Sequence, residues 1–452
     1  MSITILAIVF LGSITAAIII GLPIAFSLIF CAVVTALCMG GSATNPQIIA
    51  LQLMQGADSV TLMALPFFVL AGELMNRGGL TKRIIGFCDI LVGQVKGGLG
   101  YVTIFACLVF ASLVGSAVAS TAALGAILIP MMADSGYNRA KSAGLVASAN
   151  LVSPIMPPSV PMIVYGATAS VSINALFLGG IAPALYLTAI MCVVWFFVSR
   201  KDGVKSNKPR PTFREAVKIF LDGLWALLLP VIILVGLRGG IFTATEAGVV
   251  AVVYALFVGT CIYRELKPKV LFRALISGAK MSAVVMFLAA TAQVAAYMLT
   301  ISRVPQVITA SLSPLVANPL LLNIVLQIII MLLGTALDVV PTILIMTPIV
   351  LPLLRAAGID FVYFGIVFTL TNVLGLVTPP VGPVLNVACA AGKVKMEEIL
   401  IPTIPYFIFQ ALLVFLMTLF PEIITYPLKW IAGYNAPPMD NIITVLMRLG
   451  GG

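Results

Sequence analysis

The sequence predicts an all-α polytopic membrane protein made of two inverted repeats, and three observations carry that prediction. The chain is 61% hydrophobic and 9% charged, with a mean hydropathy of +1.18, whereas soluble domains are about 25% charged. Apolar runs near the ~20 residues that a bilayer span requires recur along its whole length. Inside two of those runs lie proline-rich breaks, Ser153-Pro154-Ile155-Met156-Pro157-Pro158-Ser159-Val160-Pro161 and Thr378-Pro379-Pro380-Val381-Gly382-Pro383, 222 residues apart.

Proline removes an amide donor and clashes with the carbonyl one turn back, so a helix must open at each break and restart beyond it. In a bilayer, open backbone is tolerated only where protein or a water-filled cavity satisfies it, which makes each break a candidate site.

In chain order, spans are expected at about 3–20 and 22–39, joined by Gly21-Leu22-Pro23. The N-terminus has no basic segment and no small-residue cleavage site, so it reads as a first membrane helix and not a cleaved signal. An amphipathic piece at 47–58 precedes a span at 60–76, and an amphipathic arm at 80–95 follows. From 100 to 133, two apolar arms of about 15 residues, short for a full crossing, flank Gly115-Ser116-Ala117 and read as a re-entrant hairpin. A broken helix at 139–166 and a span at 174–199 complete the first repeat, residues 1–199. A polar linker, 200–217, leads to a second repeat at 218–420. That repeat has spans at 218–237 and 243–263, an arm at 267–280, a span at 281–301 and an arm at 303–315. A hairpin at 319–354, a broken helix at 361–387 and a span at 399–420 complete it. The tail, 421–452, falls outside the repeat and reads as an external appendage or an added remnant.

Adding 222 carries Pro130, Gly136, Asn150, Pro157, Pro158, Pro161 and Pro183 onto Pro352, Gly358, Asn372, Pro379, Pro380, Pro383 and Pro405. Proline supplies 28 of 452 residues, so five coincidences at one spacing exceed chance. Upstream of the hairpin tips the spacing becomes 219, pairing Gly21 with Gly240 and Gly115 with Gly334. Each repeat has five crossings and one hairpin, and an odd number of crossings inverts the second repeat. With the linker cytoplasmic, twenty basic residues lie inside and five outside (Arg238, Arg303, Arg355, Lys429, Arg448). Both termini are then expected on the periplasmic side.

The excess of 25 basic over 15 acidic residues is an orientation signal and not a nucleic-acid footprint, because it sits in short loops. The absence of histidine excludes histidine metal sites, Ser-His-Asp triads and histidine proton relays. The seven scattered cysteines, without a CxxC pair, read as small core residues. No catalytic residues, no transition metal and no organic cofactor are expected.

A transported cation such as sodium needs oxygen ligands, which exposed carbonyls and hydroxyls supply. The candidate sodium-binding residues are Gly115, Ser116, Ser153, Pro157 and Ser159 in the first half, with Gly334, Thr335, Asp338, Gly375, Thr378 and Pro379 in the second. Candidate substrate contacts are Ser120, Asn150, Pro158, Asn372 and Pro380. A carboxylate at membrane depth is costly, about 2.5–3.5 kcal/mol on insertion scales, so Asp338 reads as functional, with a plain structural hydrogen bond as the alternative. Glu73 is either functional or paired with Arg77, Lys82 or Arg83 at the interface. Glu246 and Asp58 read as helix-end residues, and the small tip residues also suit plain helix packing. Asn150 and Asn372 either bind substrate or cap unwound backbone. Helix N-termini at the tips and breaks favour an anionic solute.

Gly115-Ser116-Ala117, Ile129-Pro130-Met131, Gly136-Tyr137, Met156-Pro157-Pro158-Ser159 and Tyr165-Gly166 resemble the large membrane subunit of tripartite ATP-independent periplasmic (TRAP) transporters. Gly334-Thr335, Asp338, Pro341 and Thr378-Pro379-Pro380-Val381-Gly382 extend the resemblance over about residues 1–425. Ser153-Pro154 departs from the glycine-rich residues expected before the first break. The resemblance implies sodium-driven secondary active uptake of an organic acid, commonly a dicarboxylate or sialic acid, across the bacterial inner membrane. It implies an elevator arrangement of transport and scaffold domains. It also implies two partners, a small four-helix membrane subunit and a periplasmic substrate-binding protein. A stand-alone sodium/dicarboxylate symporter would share the repeat, a channel would conduct without saturation, and a membrane enzyme lacks a catalytic pair.

Overall fold

The computed structural model describes residues 3–202, 212–304, 310, 313–379 and 381–444. The expectations for Pro380, half of the linker, most of the arm at 303–315 and residues 445–452 fall outside them. Among the described residues the regular secondary structure is helical.

Local chemistry sets the helix starts. Prolines occupy first-turn positions, where no intrahelical N–H is missed, in α3 (Pro46–Ala57), α13 (Pro268–Ile301) and α14 (Pro319–Gly334). Asn45 and Asn318 cap α3 and α14 through their side chains. Glu246 opens α12 (Ala244–Phe257) in a capping box, its carboxylate accepting the Thr243 N–H at 2.8 Å and its own N–H donating to Thr243 Oγ1 at 3.3 Å. Asp58 is the C-cap of α3, so both of these acids sit at helix ends.

One group of helices comprises α1 (Ile3–Ile19), α2 (Ile24–Met39), α3, α4 (Ala64–Arg77), α5 (Leu80–Val92), α11 (Phe213–Arg238), α12 and α13. A second holds the first hairpin, α6 (Gly98–Val114) and α7 (Ala117–Asp134), with α8 (Arg139–Ala149), α9 (Val160–Ala169) and α10 (Ile173–Asp202). Its later members are the second hairpin, α14 and α15 (Val339–Ala357), then α16 (Phe361–Gly375), α17 (Pro383–Gly392) and α18 (Met396–Leu419). A last helix, α19 (Glu422–Ala432), follows.

The packing exchanges partners between halves. The return arm α7 packs on the post-break helix α17, and α15 packs on α9. Likewise α8 packs on α18 and α16 on α10, while α2 meets α13 and α4 meets α12. The 222-residue spacing reappears in local geometry: Asn138 accepts the Lys141 N–H at 3.1 Å, and Asp360 accepts the Tyr363 N–H at 2.7 Å. Gly136 and Gly358 both adopt positive φ, as do Gly21 and Gly240 at the 219 spacing.

Seven described helices, including α7 and α15, are long and apolar enough to cross a membrane. Three expectations are corrected. The arm at 267–280 and the span at 281–301 are one 34-residue helix, α13, because no proline or glycine pair interrupts Pro268–Ile301, whereas the first-half counterpart bends by 52° between α3 and Thr61–Arg77. The return arm of the first hairpin is 18 residues long, not about 15, since Pro130 is carried inside it. The tail, expected as an external appendage or an added remnant, is docked on the fold: Ile424 and Leu428 are fully buried, α19 packs along α10, and Tyr434 donates to Asp360 Oδ2 at 2.8 Å. Burial first, then the neighbouring carboxylate, push the Tyr434 phenol above its ordinary range.

Candidate functional site

At the first tip, α6 ends on Gly115 at φ +66°, a left-handed conformation that glycine adopts without a Cβ clash. A Cβ there would lie 3.0 Å from the Val160 N and 3.1 Å from the Pro158 O, so the tip is seated against the first break. Ser116 is the N-cap of α7, its Oγ accepting the Ala119 N–H at 3.4 Å. One turn on, Ser120 Oγ and Ser153 Oγ are hydrogen-bonded at 2.8 Å, with both residues fully buried.

The first break unwinds through a 3-10 turn, Asn150–Val152, and α9 restarts at Val160 under a Ser159 cap. Ser159 Oγ accepts the Met162 N–H at 3.3 Å and its hydroxyl donates to the Pro154 carbonyl. Asn150 donates to the Val146 O at 2.9 Å, and its Oδ1 is buried without a partner. This break is almost wholly buried, Pro157 and Pro158 included.

The second tip is built differently. Gly334 and Gly375 bring the backbones of α14 and α16 together: a Cβ on Gly375 would meet the Met331 O at 2.5 Å and the Gly334 Cα at 2.7 Å. The Thr335 carbonyl accepts the Gly382 N–H at 3.1 Å, which ties tip to break. Thr335 and Thr378 hydroxyls donate back to the Leu332 and Leu374 carbonyls, both at 2.8 Å. Asp338 is the N-cap of α15, accepting the Val339 N–H at 2.8 Å. Asn372 is fully buried, with neither its Oδ1 nor its Nδ2 partnered. Pro379 is exposed at this break.

Ser116 and Asp338 stand 222 residues apart and cap the two return arms. The change of spacing from 219 to 222 therefore falls inside the tips: Thr335, Ala336 and Leu337 are three residues that the first tip lacks.

Both caps face one cavity of about 240 Å³, lined by Gly115, Ser116, Pro154, Val160, Pro161 and Asp338 together with residues of α4 and α13. The first turns of α7, α9 and α15 all border it, so three helix N-termini present partial positive charge to one space. Glu73 and Asn76 of α4 also line it. The Glu73 carboxylate accepts from Arg77 Nε at 2.9 Å, so it is both an ion-pair partner and a cavity residue.

Among the described residues, those proposed from the sequence as sodium or substrate contacts that line this cavity are Gly115, Ser116 and Asp338, and Glu73, left open between function and an ion pair, joins them. Ser120, Ser153 and Ser159 are buried at the first tip and break. Gly334, Thr335, Asn372 and Gly375 gather at the second tip. Pro154, Pro161 and Pro341 belong to motifs read in the sequence but were given no binding role, and Asn76 was not named at all, although it lies three residues from Glu73 and so on the same helix face.

The fold is shared with a solved structure, the Alcanivorax borkumensis YdaH transporter, with a TM-score of 0.62 at 12% identity over 88% of this chain and 91% of that one. Residues 11–423 match the family described as the tripartite ATP-independent periplasmic transporter, DctM component. The 2,3-diketo-L-gulonate TRAP transporter large permease protein YiaN of Escherichia coli is 45% identical over 94% of this chain and 99% of its own length. The sialic acid TRAP transporter large permease protein SiaM of Vibrio cholerae is 34% identical, over 89% of this chain and 93% of its own length. The C4-dicarboxylate large permease DctM of Pseudomonas aeruginosa is 35% identical, over 83% of this chain and 88% of its own length. A multi-helix membrane chain with paired hairpins and breaks, matched to one family from residue 11 to 423, belongs to the tripartite ATP-independent periplasmic transporters as their large permease component.

Proposed function

We propose that the chain carries out sodium-coupled secondary import of a small organic acid across the bacterial inner membrane. A periplasmic substrate-binding protein delivers the acid, and a small four-helix membrane subunit completes the permease. The observation that carries this reading is the convergence of three helix N-termini and the Asp338 carboxylate on one cavity between α4, α13 and the hairpin tips. Helix N-termini suit a carboxylate solute. Asp338, hydroxyls and open carbonyls suit a hard cation that wants oxygen ligands. The names of the relatives, which concern a keto-sugar acid, sialic acid and C4-dicarboxylates, support an organic acid as the solute class.

In this reading the hairpins, breaks and their flanking helices α6–α10 and α14–α18 form the moving transport domain. Helices α1–α5 and α11–α13 form the scaffold, and the second repeat lies inverted with both termini periplasmic. The exchange-symmetric packing supports that assignment. Chemistry is limited to binding and release, with sodium as the coupling ion and no catalytic residue.

Uptake into proteoliposomes holding this chain and its small partner tests the reading, with radiolabelled diketogulonate, sialic acid and C4-dicarboxylates. The expected result is saturable uptake that requires both an inward sodium gradient and the binding protein. Sodium-driven uptake without the binding protein would make the chain a stand-alone symporter, and unsaturable flux would make it a channel.

A further inference from the structure

A buried polar seam runs along the second half. Helices α14 and α16 lie side by side and run in the same direction: Asn323 donates to the Tyr363 hydroxyl at 3.2 Å near their starts, and Gly334 meets Asn372 and Gly375 near their ends. At the outer end is a second cavity of about 200 Å³, lined by Asn323, Tyr363, Gly358 and Asp440 among others. The tail covers this end, since Asp440 and Pro438 belong to it.

One contact inward, Gln327 Nε2 donates to Asn323 Oδ1 at 3.0 Å. Gln327 is only 7% exposed, and its Oε1 has no partner. Two turns further along α14, Gly334 abuts the unpartnered Asn372 amide, a would-be Cβ lying 3.2 Å from its Nδ2. The Thr371 hydroxyl beside it in sequence is buried and unpartnered as well. Buried polar atoms in folded proteins are ordinarily completed by protein, water or an ion.

Among the described residues, the first half has no such seam. The positions matching Asn323 and Gln327 at the 219 spacing are Ile104 and Leu108, and Ala149 stands where Thr371 does. Its own unpartnered atoms are on Thr121, Ser148 and Asn150; the last two lie just before the break, and the small void there, lined by Ile104, Ala149 and the second half's Gln410, has no room for a water molecule.

We infer that water fills the seam between α14 and α16 and that a small cation travels it from the tail-covered cavity to the second tip. The cation rests on the sodium-coupled reading; the water does not. Purified Gln327→Cys is treated with methanethiosulfonate ethylammonium beside Ile104→Cys, a buried first-half position, and modification at each position is followed by mass spectrometry. The expected result is labelling about tenfold faster at 327, because access there needs no local opening. Thr371→Cys against Ala149→Cys repeats the comparison with a near-isosteric change at the seam. Equal rates in both pairs would overturn the water-filled seam.

The route itself is tested by Gln327→Leu in the reconstituted, partnered transporter. Severalfold slower uptake with an unmoved sodium half-saturation is expected. A shifted half-saturation would make Gln327 a ligand instead, and unchanged uptake would leave it off the path; either overturns the route. Uptake by the unaltered protein that ignores sodium would sink the coupled reading while leaving the labelling result standing.

Discussion

The two hairpin tips occupy matching positions in their halves and are held by different chemistry. The first is closed by side chains: Ser120 and Ser153 bond to each other, Ser159 bonds to Pro154, and the break is buried. At the second tip, 222 residues on, Thr342 and Gly375 stand in place of that serine pair. Thr342 donates to its own helix at the Asp338 carbonyl, and Gly375 gives up a side chain so that two backbones touch. Three added residues and a carboxylate in place of Ser116 complete the contrast. One architecture therefore yields a tip locked by neutral hydroxyls and a charged tip with exposed parts, Ala336 and Pro379. Glycine expected before the first break is found before the second.

If the charged tip carries the coupling, the largest effect belongs to Asp338→Asn. Losing a charged ligand in a buried site costs about 3 kcal/mol, roughly a hundredfold in sodium-driven uptake. Ser116→Ala at the matching cap should cost about 1 kcal/mol of stability and leave uptake within about tenfold. Equal losses in the two variants would erase the functional side of the comparison. Sodium at about one hundred times its dissociation constant should stabilise the protein by about 2.7 kcal/mol, read as a raised Tm. That increment should vanish in Asp338→Asn and persist in Ser116→Ala.

A backbone contact and a hydroxyl pair also answer differently to small changes. Gly375→Ala forces a methyl against the Met331 carbonyl and Gly334, and should cost about 1–3 kcal/mol in thermal unfolding. Ser153→Ala leaves the Ser120 hydroxyl alone in a buried site, at about 1–3 kcal/mol, and the Ser120→Ala, Ser153→Ala double variant should recover part of that loss. No recovery would show that the pair is not the lock.

The smallest effect is expected outside both tips. Tyr434→Phe removes the hydroxyl that ties the tail to Asp360, for about 1 kcal/mol, seen as faster proteolysis after Ala432. Because the phenol is raised above its ordinary value, the unaltered bond's contribution is complete below the ordinary tyrosine range. It fades only as pH climbs through the raised value.

The breaks, the hairpins and the repeat were legible because proline and glycine act locally. A missing amide or a positive φ is a property of the residue, and spacing alone pairs Gly136 with Gly358 and Asn150 with Asn372. The continuity of α13 was hidden because charged residues at 267–280 resemble a separate surface arm, although nothing in them stops a helix. The docking of the tail was hidden because Ile424 and Leu428 become core only where α10 supplies the facing surface.

From its order of residues alone, this chain determined that it lives in a membrane, where its helices open and that one plan is used twice, since hydropathy and backbone sterics are set residue by residue. Only tertiary structure decided that Ser116, Asp338 and Glu73 border one cavity and that Gly375 touches Gly334. It likewise left Gln327 and Asn372 with unpartnered polar atoms in a buried seam. Those relations join segments tens to hundreds of residues apart, and packing between helices, not any local preference, sets which side chains meet.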